Sequence, residues 1–320
     1  MTSRIIVAQP IEAEIIAGLS ALGPVFMNPG PAPLPRSELL DLCRGAEALM
    51  AFMTERVDGD LLDAAPNLKI VAGAFKGFDN VDLDACRERG VKFTYVPDLL
   101  TKPTAELALG LMIALARNIL PGDAHVRSGA FRGWRPLLYG GSIEGARVGV
   151  IGAGRVGQAL LKLLRGFDCE RIYHDTHPLA PEAARTLDAQ LVDLETLIKT
   201  SDFVVLATPL TPETLGMIDA ACLAHMKRGA YLVNPGRGSV VVEAAVAAAL
   251  ASGHLGGYAA DIFEMEDQSR PDAPGMIDPA LLKAPNTVFT PHIGSAVTSV
   301  RRQIAQAAAD EISAHLALDK

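Results

Sequence analysis

Three short segments of the sequence carry side chains able to handle an anion and a proton together. They are Asn234-Pro235-Gly236-Arg237-Gly238, Asp261-Ile262-Phe263-Glu264-Met265-Glu266 and Pro291-His292-Ile293-Gly294. Each closes or follows a β-forming run, at 230–234, 258–262 and 287–290. A guanidinium grips an oxyanion through paired hydrogen bonds. An imidazole moves a proton near neutral pH. A carboxylate beside that imidazole sets its tautomer and favours its charged form. Taken singly, each residue has a plainer reading: a surface arginine, a solvated loop glutamate, a histidine at a strand end. Three such groups at three successive strand ends favour catalysis, so Arg237, Glu266 and His292 form the candidate catalytic set. No His, Asp or Glu group shows metal-ligand spacing. His174 and His177 read as polar loop residues, and His125, His225, His254 and His315 as structural.

These strand ends converge only if the strands lie parallel in one sheet. The segment that makes this expectation firm begins with the β-branched run 147–151. Gly152-Ala153-Gly154-Arg155-Val156-Gly157 follows, then a helical pattern over 158–164 and a second strand over 170–174, ending at Asp175. Gly152 suits a tight turn, Gly154 a close approach of backbone to a pyrophosphate, and Gly157 tight packing of helix on strand. The phosphates would meet free N–H groups at the helix N-terminus. An acidic residue roughly 20 positions on is placed to hydrogen-bond an adenosine ribose. Asp175 would also repel a 2′-phosphate, and Thr176, His177, Pro178 and Leu179 supply no cation to hold one, so the expected cofactor is NAD rather than NADP.

Elsewhere helical and strand patterns alternate. Strands are expected at 4–8, 48–52, 69–72, 91–95 and 203–207. Helices are expected at 11–22, 37–44, 60–65, 82–89, 105–117, 194–199, 213–226 and 243–252. Residues 24–35 read as a Pro-rich loop, Pro97 and Pro103 bracket another, and 264–278 reads as a surface loop. Thr104 is the expected cap of the helix after Pro103, and Ser295 that of a last helix with Ala296, Val300, Ile304, Ala308, Ile312 and Leu316 on one face. The fold class is therefore α/β, with two parallel doubly wound sheets and a cleft between two domains. One domain comprises 1–98 with 296–320, the other, dinucleotide-binding, 99–295.

The 320 residues exceed one ordinary core, and 49% hydrophobic with 21% charged content is that of a globular protein. The net charge of −8 argues against nucleic-acid and anionic-membrane partners, yet leaves room for a basic pocket that takes a small anion. Cys43, Cys86, Cys169 and Cys222 show no CxxC spacing and read as reduced thiols of a cytoplasmic protein. No signal peptide is visible, and the apolar stretch 107–116 is half a membrane span.

On Gly77-Phe78-Asp79-Asn80-Val81-Asp82, Thr104-Ala105-Glu106-Leu107-Ala108, the 152–157 loop and the three segments above, the chain resembles the D-2-hydroxyacid dehydrogenase family nearly end to end. Within it the similarity is greatest to phosphite-oxidising members. It runs over 50–53 with 56–58, over Lys76-Gly77-Phe78-Asp79-Asn80, over 96–101, over 256–267 and over 289–297. Gly236 and Thr298 depart from that pattern.

The resemblance implies a flavodoxin-like catalytic domain beside a Rossmann domain, and oxidation of phosphite by NAD with water as nucleophile. It implies His292 as base, Glu266 as its partner and Arg237 as a substrate anchor. Lys76 and Gly77 would bind substrate from the other domain, with Met53, Trp134, Tyr139 and Arg301 lining the pocket. The implied cofactor contacts are Lys76, Thr104, Gly152, Gly154, Arg155, Val156, Gly157, Asp175, Thr176, Ala207, Thr208, Pro209, Asn234, Pro235, Asp261, His292 and Gly294. A homodimer joined by the segment after Pro103 is also implied. Lys76 has a reading of its own: phosphite near neutral pH is largely a dianion, and a second cation suits it. Two other functions stay open: a 2-hydroxyacid dehydrogenase or 2-oxo acid (glyoxylate) reductase, and an NAD(H)-sensing binding module without turnover.

Overall fold

The computed structural model describes residues 4–96, 98–267, 270 and 272–317. The chain divides into two compact units, Met1–Leu100 with Ala296–Lys320, and Thr101–Ser295.

The first unit runs β1 (Ile5–Val7), α1 (Ala13–Ser20), β2 (Val25–Met27), α2 (Arg36–Cys43), β3 (Ala48–Ala51), α3 (Gly59–Ala64), β4 (Ile70–Gly73), α4 (Leu83–Glu88) and β5 (Lys92–Tyr95). Its strands pair in parallel in the order β2-β1-β3-β4-β5. A strand covered on both faces must be apolar at every position, and β1, β3 and β4 are. Side chains alternate faces. Ile5, Val7, Ala48, Met50, Ile70 and Ala72 share one core with α1 and with the final helix. Ile6, Leu49, Ala51 and Val71 face the opposite core, with residues of α2, α3 and α4.

The second unit opens with α5 (Thr101–Ala116) and α6 (Ile119–Arg127). Then come β6 (Arg147–Ile151), α7 (Arg155–Leu164), β7 (Glu170–His174), α8 (Pro181–Leu187), β8 (Gln190–Leu191), α9 (Leu194–Thr200) and β9 (Phe203–Leu206). It closes with α10 (Ala220–His225), β10 (Tyr231–Asn234), α11 (Glu243–Ala251), β11 (Gly257–Ala260), α12 (Pro279–Leu282) and β12 (Thr287–Phe289). Among the described residues its seven strands are all parallel, in the order β12-β11-β10-β9-β6-β7-β8. Val148, Val150, Phe203, Val205 and Val233 pack toward α5 and α7, while Val204, Leu206 and Leu232 face the other layer. The last helix, α13 (Thr298–Ala317), returns to the first unit and buries Ile304, Ala308, Ile312 and Leu316 there.

Several boundaries differ from the expectation. The helix near Pro103 begins at Thr101, so Thr104 lies in its first turn and does not cap it. Proline is tolerated there because the first N–H groups of a helix have no intrahelical acceptor. Pro97, the other end of the expected loop, lies outside the described residues. The Pro-rich stretch contains β2, which pairs with β1. Of the helix expected over 213–226 only Ala220–His225 forms, capped by the Asp219 side chain, which accepts from the amide of Cys222. The final helix starts at Thr298, three residues after Ser295. The helices α6 and α8 carry no pattern the sequence reading resolved.

Helix α6 buries no residue, and Ile119, Leu120, Val126, Phe131, Trp134, Leu137, Leu138 and Tyr139 form a run of exposed apolar side chains. Among the described residues no single helix is long and apolar enough to cross a membrane; α5 and α6 together pass by length and composition but are bent by 62°. α5 packs in the core of its unit through Ala105, Ala108, Leu111, Met112 and Leu115.

Candidate active site

In the second unit the chain steps outward from β6 to β7 and β8, then returns to the other side of β6 with β9. Strand order therefore reverses between β6 and β9, and the crevice beyond the carboxyl ends of such strands is where ligands bind. The three glycines there meet three different demands. Gly152 has φ +96°, and a Cβ on it would lie 2.6 Å from the carbonyl oxygen of Ala207. A Cβ on Gly157 would lie 2.0 Å from the oxygen of Gly152, so α7 packs onto the turn with no room for a side chain. A Cβ on Gly154 would meet nothing within 4 Å, so the space beside this turn is open to a ligand.

The Asp175 carboxylate is fixed from both sides: Oδ2 accepts the amide of Ala153 at 2.6 Å, and Oδ1 that of His177 at 2.8 Å. Its remaining lone pairs can accept from ribose hydroxyls. An open glycine turn, the start of a ten-residue helix and a braced acid fit a dinucleotide. Arg155 and Val156 open α7, and Thr176 follows Asp175 exposed to solvent. Ala207, Thr208 and Pro209 follow β9; a Cβ on Gly236 would touch the Leu206 oxygen at 2.9 Å and the Thr208 oxygen at 3.3 Å. The ends of β6, β9 and β10 thus abut one another.

The candidate catalytic groups stand beyond β10, β11 and β12. His292 Nδ1 lies 2.7 Å from Glu266 Oε2, across 26 positions of sequence. The carboxylate accepts the Nδ1–H in this pairing, so the neutral ring carries its free lone pair on Nε2. Glu266 is itself held, because Oε1 accepts the amide of Phe263 at 2.9 Å. His292 sits at φ 55°, a left-handed conformation that costs a non-glycine residue about 1–2 kcal/mol. Asp261 holds it there. Its backbone oxygen accepts the His292 amide at 2.8 Å, and its buried carboxylate accepts from Thr290 Oγ1 at 2.6 Å and from the amides of Ile293 and Gly294, both at 2.8 Å. Asp261 is thus the clamp of the histidine loop. A Cβ on Gly294 would lie 3.3 Å from Thr104 Oγ1, which places Thr104 of α5 beside the same loop.

Arg237 follows β10 in a turn closed by Asn234, whose amide nitrogen donates to the Arg237 oxygen at 3.0 Å and whose Oδ1 accepts the Gly236 amide at 3.1 Å. Pro235 lies buried in that turn. The arginine loop comes against the glutamate loop because a Cβ on Gly238 would stand 2.0 Å from the carbonyl carbon of Phe263. Trp134 and Tyr139 belong to the exposed apolar run, at 82% and 75% exposure. Two acids with structural leverage here, Glu243 and Glu264, went unnoticed in the sequence; their only signal was the position of Glu264 two residues before Glu266.

The first unit groups its own candidates at the ends of β3 and β4. Lys76 and Gly77 follow β4 and Met53 follows β3; all three are partly buried. The loop of Met53 is locked by Glu55, which is buried and accepts the Phe52 amide and the Thr54 hydroxyl, both at 2.6 Å. Asn80 donates to the carbonyls of Phe52 at 3.2 Å and Glu55 at 2.7 Å, tying the two loops together. The Arg301 guanidinium lies 5.8 Å from the ring centre of Phe52, and burial pulls its pKa down. Among the described residues its buried Nη1 has no hydrogen-bond partner.

Comparison with known proteins gives a consistent picture. Residues 109–294 match the model of the D-isomer specific 2-hydroxyacid dehydrogenase, NAD binding domain. A glyoxylate reductase of Thermococcus litoralis is 38% identical over 319 residues, spanning 98% of this chain and 94% of the relative. A solved protein of Thermus thermophilus superposes with a TM-score of 0.88 at 37% identity, covering 98% of this chain and 96% of that one. The apo D-lactate dehydrogenase of Escherichia coli follows at a TM-score of 0.79 and 29% identity, covering 97% and 96%.

Proposed function

Because this chain belongs to the D-isomer specific 2-hydroxyacid dehydrogenase family and takes NAD(H) as cofactor, we propose that it is a hydride-transfer enzyme acting on phosphite. The observation that carries this reading is Arg301, a partly buried guanidinium whose buried Nη1 has no partner among the described residues and so suits an anionic substrate. A buried donor left unpaired costs free energy, and a ligand oxygen would remove that cost. Lys76, on the same unit, is a second cation suited to a dianion.

In this reading Arg237 binds the oxygens of phosphite. His292 Nε2 takes a proton from water, whose oxygen forms the new P–O bond. The Glu266 carboxylate stabilises the imidazolium that results. The P–H bond breaks with both electrons leaving as hydride. NAD supplies the acceptor for that hydride and nothing else.

A second reading has the better support from relatives' names: reduction of a small 2-oxo acid such as glyoxylate. There Arg237 holds the substrate carboxylate, and protonated His292 delivers its proton to the carbonyl oxygen as the carbonyl carbon takes the hydride that NADH would supply. Two absorbance assays decide: NAD with phosphite, and NADH with glyoxylate. The phosphite reading expects the first to have the higher kcat/KM. Turnover of glyoxylate with phosphite untouched would replace it with the second. In either case a second copy of the chain would cover the exposed run around Trp134, and light scattering at the mass of one chain would refute that dimer.

A further inference from the structure

We infer that Glu243 is a positioning residue for this reaction, holding the turn that carries Glu266 and, through Glu266, the ring of His292. The inference rests on the reading that His292 and Glu266 handle the proton.

Glu243 is the first residue of α11 and is only 4% exposed. Its Oε1 accepts the amide of Glu264 at 2.9 Å, while Glu264 Oε1 accepts the amide of Glu243 at 2.8 Å. Each carboxylate therefore holds the other residue's backbone. The second oxygen of Glu243 accepts the amide of Asp278 at 2.8 Å. One side chain thus ties together the start of α11, the 3-10 turn Glu264–Glu266 and the residue that caps α12.

That turn has a single chemical product, the aim of the Glu266 carboxylate. With Oε1 fixed on the Phe263 amide, a small rotation of the turn swings Oε2 away from His292. Hydrogen bonds weaken steeply with distance and angle, and a displacement of about 1 Å in a catalytic group can cost about 10²-fold in rate. Keeping a carboxylate out of water is itself costly. Burial, with Glu264 and Asp278 as acidic neighbours, raises the Glu243 pKa, and the amides of Asp278 and Glu264 counter only part of the rise. A glutamate at this position is therefore explained by the two amides it organises.

The test is Glu243→Gln, which keeps the shape but turns one acceptor into a donor facing a backbone N–H. Turnover is measured with whichever pair the enzyme uses, phosphite and NAD or glyoxylate and NADH. The expected result is a fall in kcat of about tenfold or more, with substrate KM and NADH affinity changed by less than about twofold. The downfield proton resonance of the His292 Nδ1–H should move upfield or vanish, a change that mere loss of stability would not produce in the folded fraction. Unchanged kcat, or a fall matched by the unfolded fraction with the resonance unmoved, overturns the inference. If Glu243→Gln does not fold, Glu264→Ala removes the acceptor of the Glu243 amide, one half of the reciprocal clasp, and carries the same expectations. His292→Ala separates the two levels. Retained kcat in that variant refutes the reading itself; a collapse there with Glu243→Gln unaffected refutes only the positioning role.

Discussion

Gly238 and Phe263 approach so closely that a Cβ on the glycine would lie 2.0 Å from the Phe263 carbonyl carbon and 2.2 Å from its oxygen. The two residues stand at the ends of neighbouring strands, and this backbone contact sets the spacing between the arginine loop and the glutamate loop.

Gly238→Ala should therefore push the two loops apart, because the obstacle is backbone and cannot rotate away. Overpacking of this kind costs typically about 1–3 kcal/mol, and the loss of catalytic geometry should lower kcat by about 10²-fold. Thermal melting and steady-state kinetics on one preparation check both. A variant with native melting temperature and native kcat would show that the contact sets nothing.

Cofactor preference should turn on Asp175. Replacing it with alanine and Thr176 with arginine removes the charge that repels a 2′-phosphate and adds one that attracts it. The ratio of kcat/KM for NAD over NADP should fall by at least about tenfold, or about 1.4 kcal/mol. Because Asp175 also braces the amide of Ala153, part of the NAD affinity should be lost as well. An unchanged ratio would remove Asp175 from the ribose site.

Stability should carry a signature of Glu55. Burial raises its pKa in the folded protein, opposed by the hydrogen bonds from Thr54, Phe52 and Gln9. A carboxyl whose folded pKa exceeds its unfolded value of about 4.3 binds more protons folded than unfolded within that window. Its contribution is therefore complete below the unfolded value and is lost as pH rises through the folded value. Denaturant midpoints of wild type and Glu55→Gln, measured from acid to neutral pH, should show wild type losing stability relative to the variant as pH climbs above about 4.3. A difference independent of pH would contradict the shift.

The strand-turn-helix at 147–164 was legible because each step is local. A β-branched run, three glycines and a helical repeat need no distant partner to be recognised, and the parallel α/β class follows from their alternation. The apolar face of α13 was equally plain, since side chains four apart must share one side of a helix. The strand β2 was hidden among prolines because its reason for existing is β1 beside it, not its own composition. The start of α5 was misplaced because a proline in the first turn interrupts nothing the helix needs.

By itself the sequence determined which chemistry is available: a dinucleotide turn, an acid at the end of the next strand, and an arginine, a glutamate and a histidine at strand ends. Only the tertiary structure decided how those groups are held. Asp261 clamps the left-handed His292, Gly238 sets one loop against another, and Glu243 with Glu264 fastens the turn of Glu266. The reason is distance along the chain. Each of these contacts joins residues some twenty or thirty positions apart, on separate strand ends whose spacing exists only once the sheet has formed.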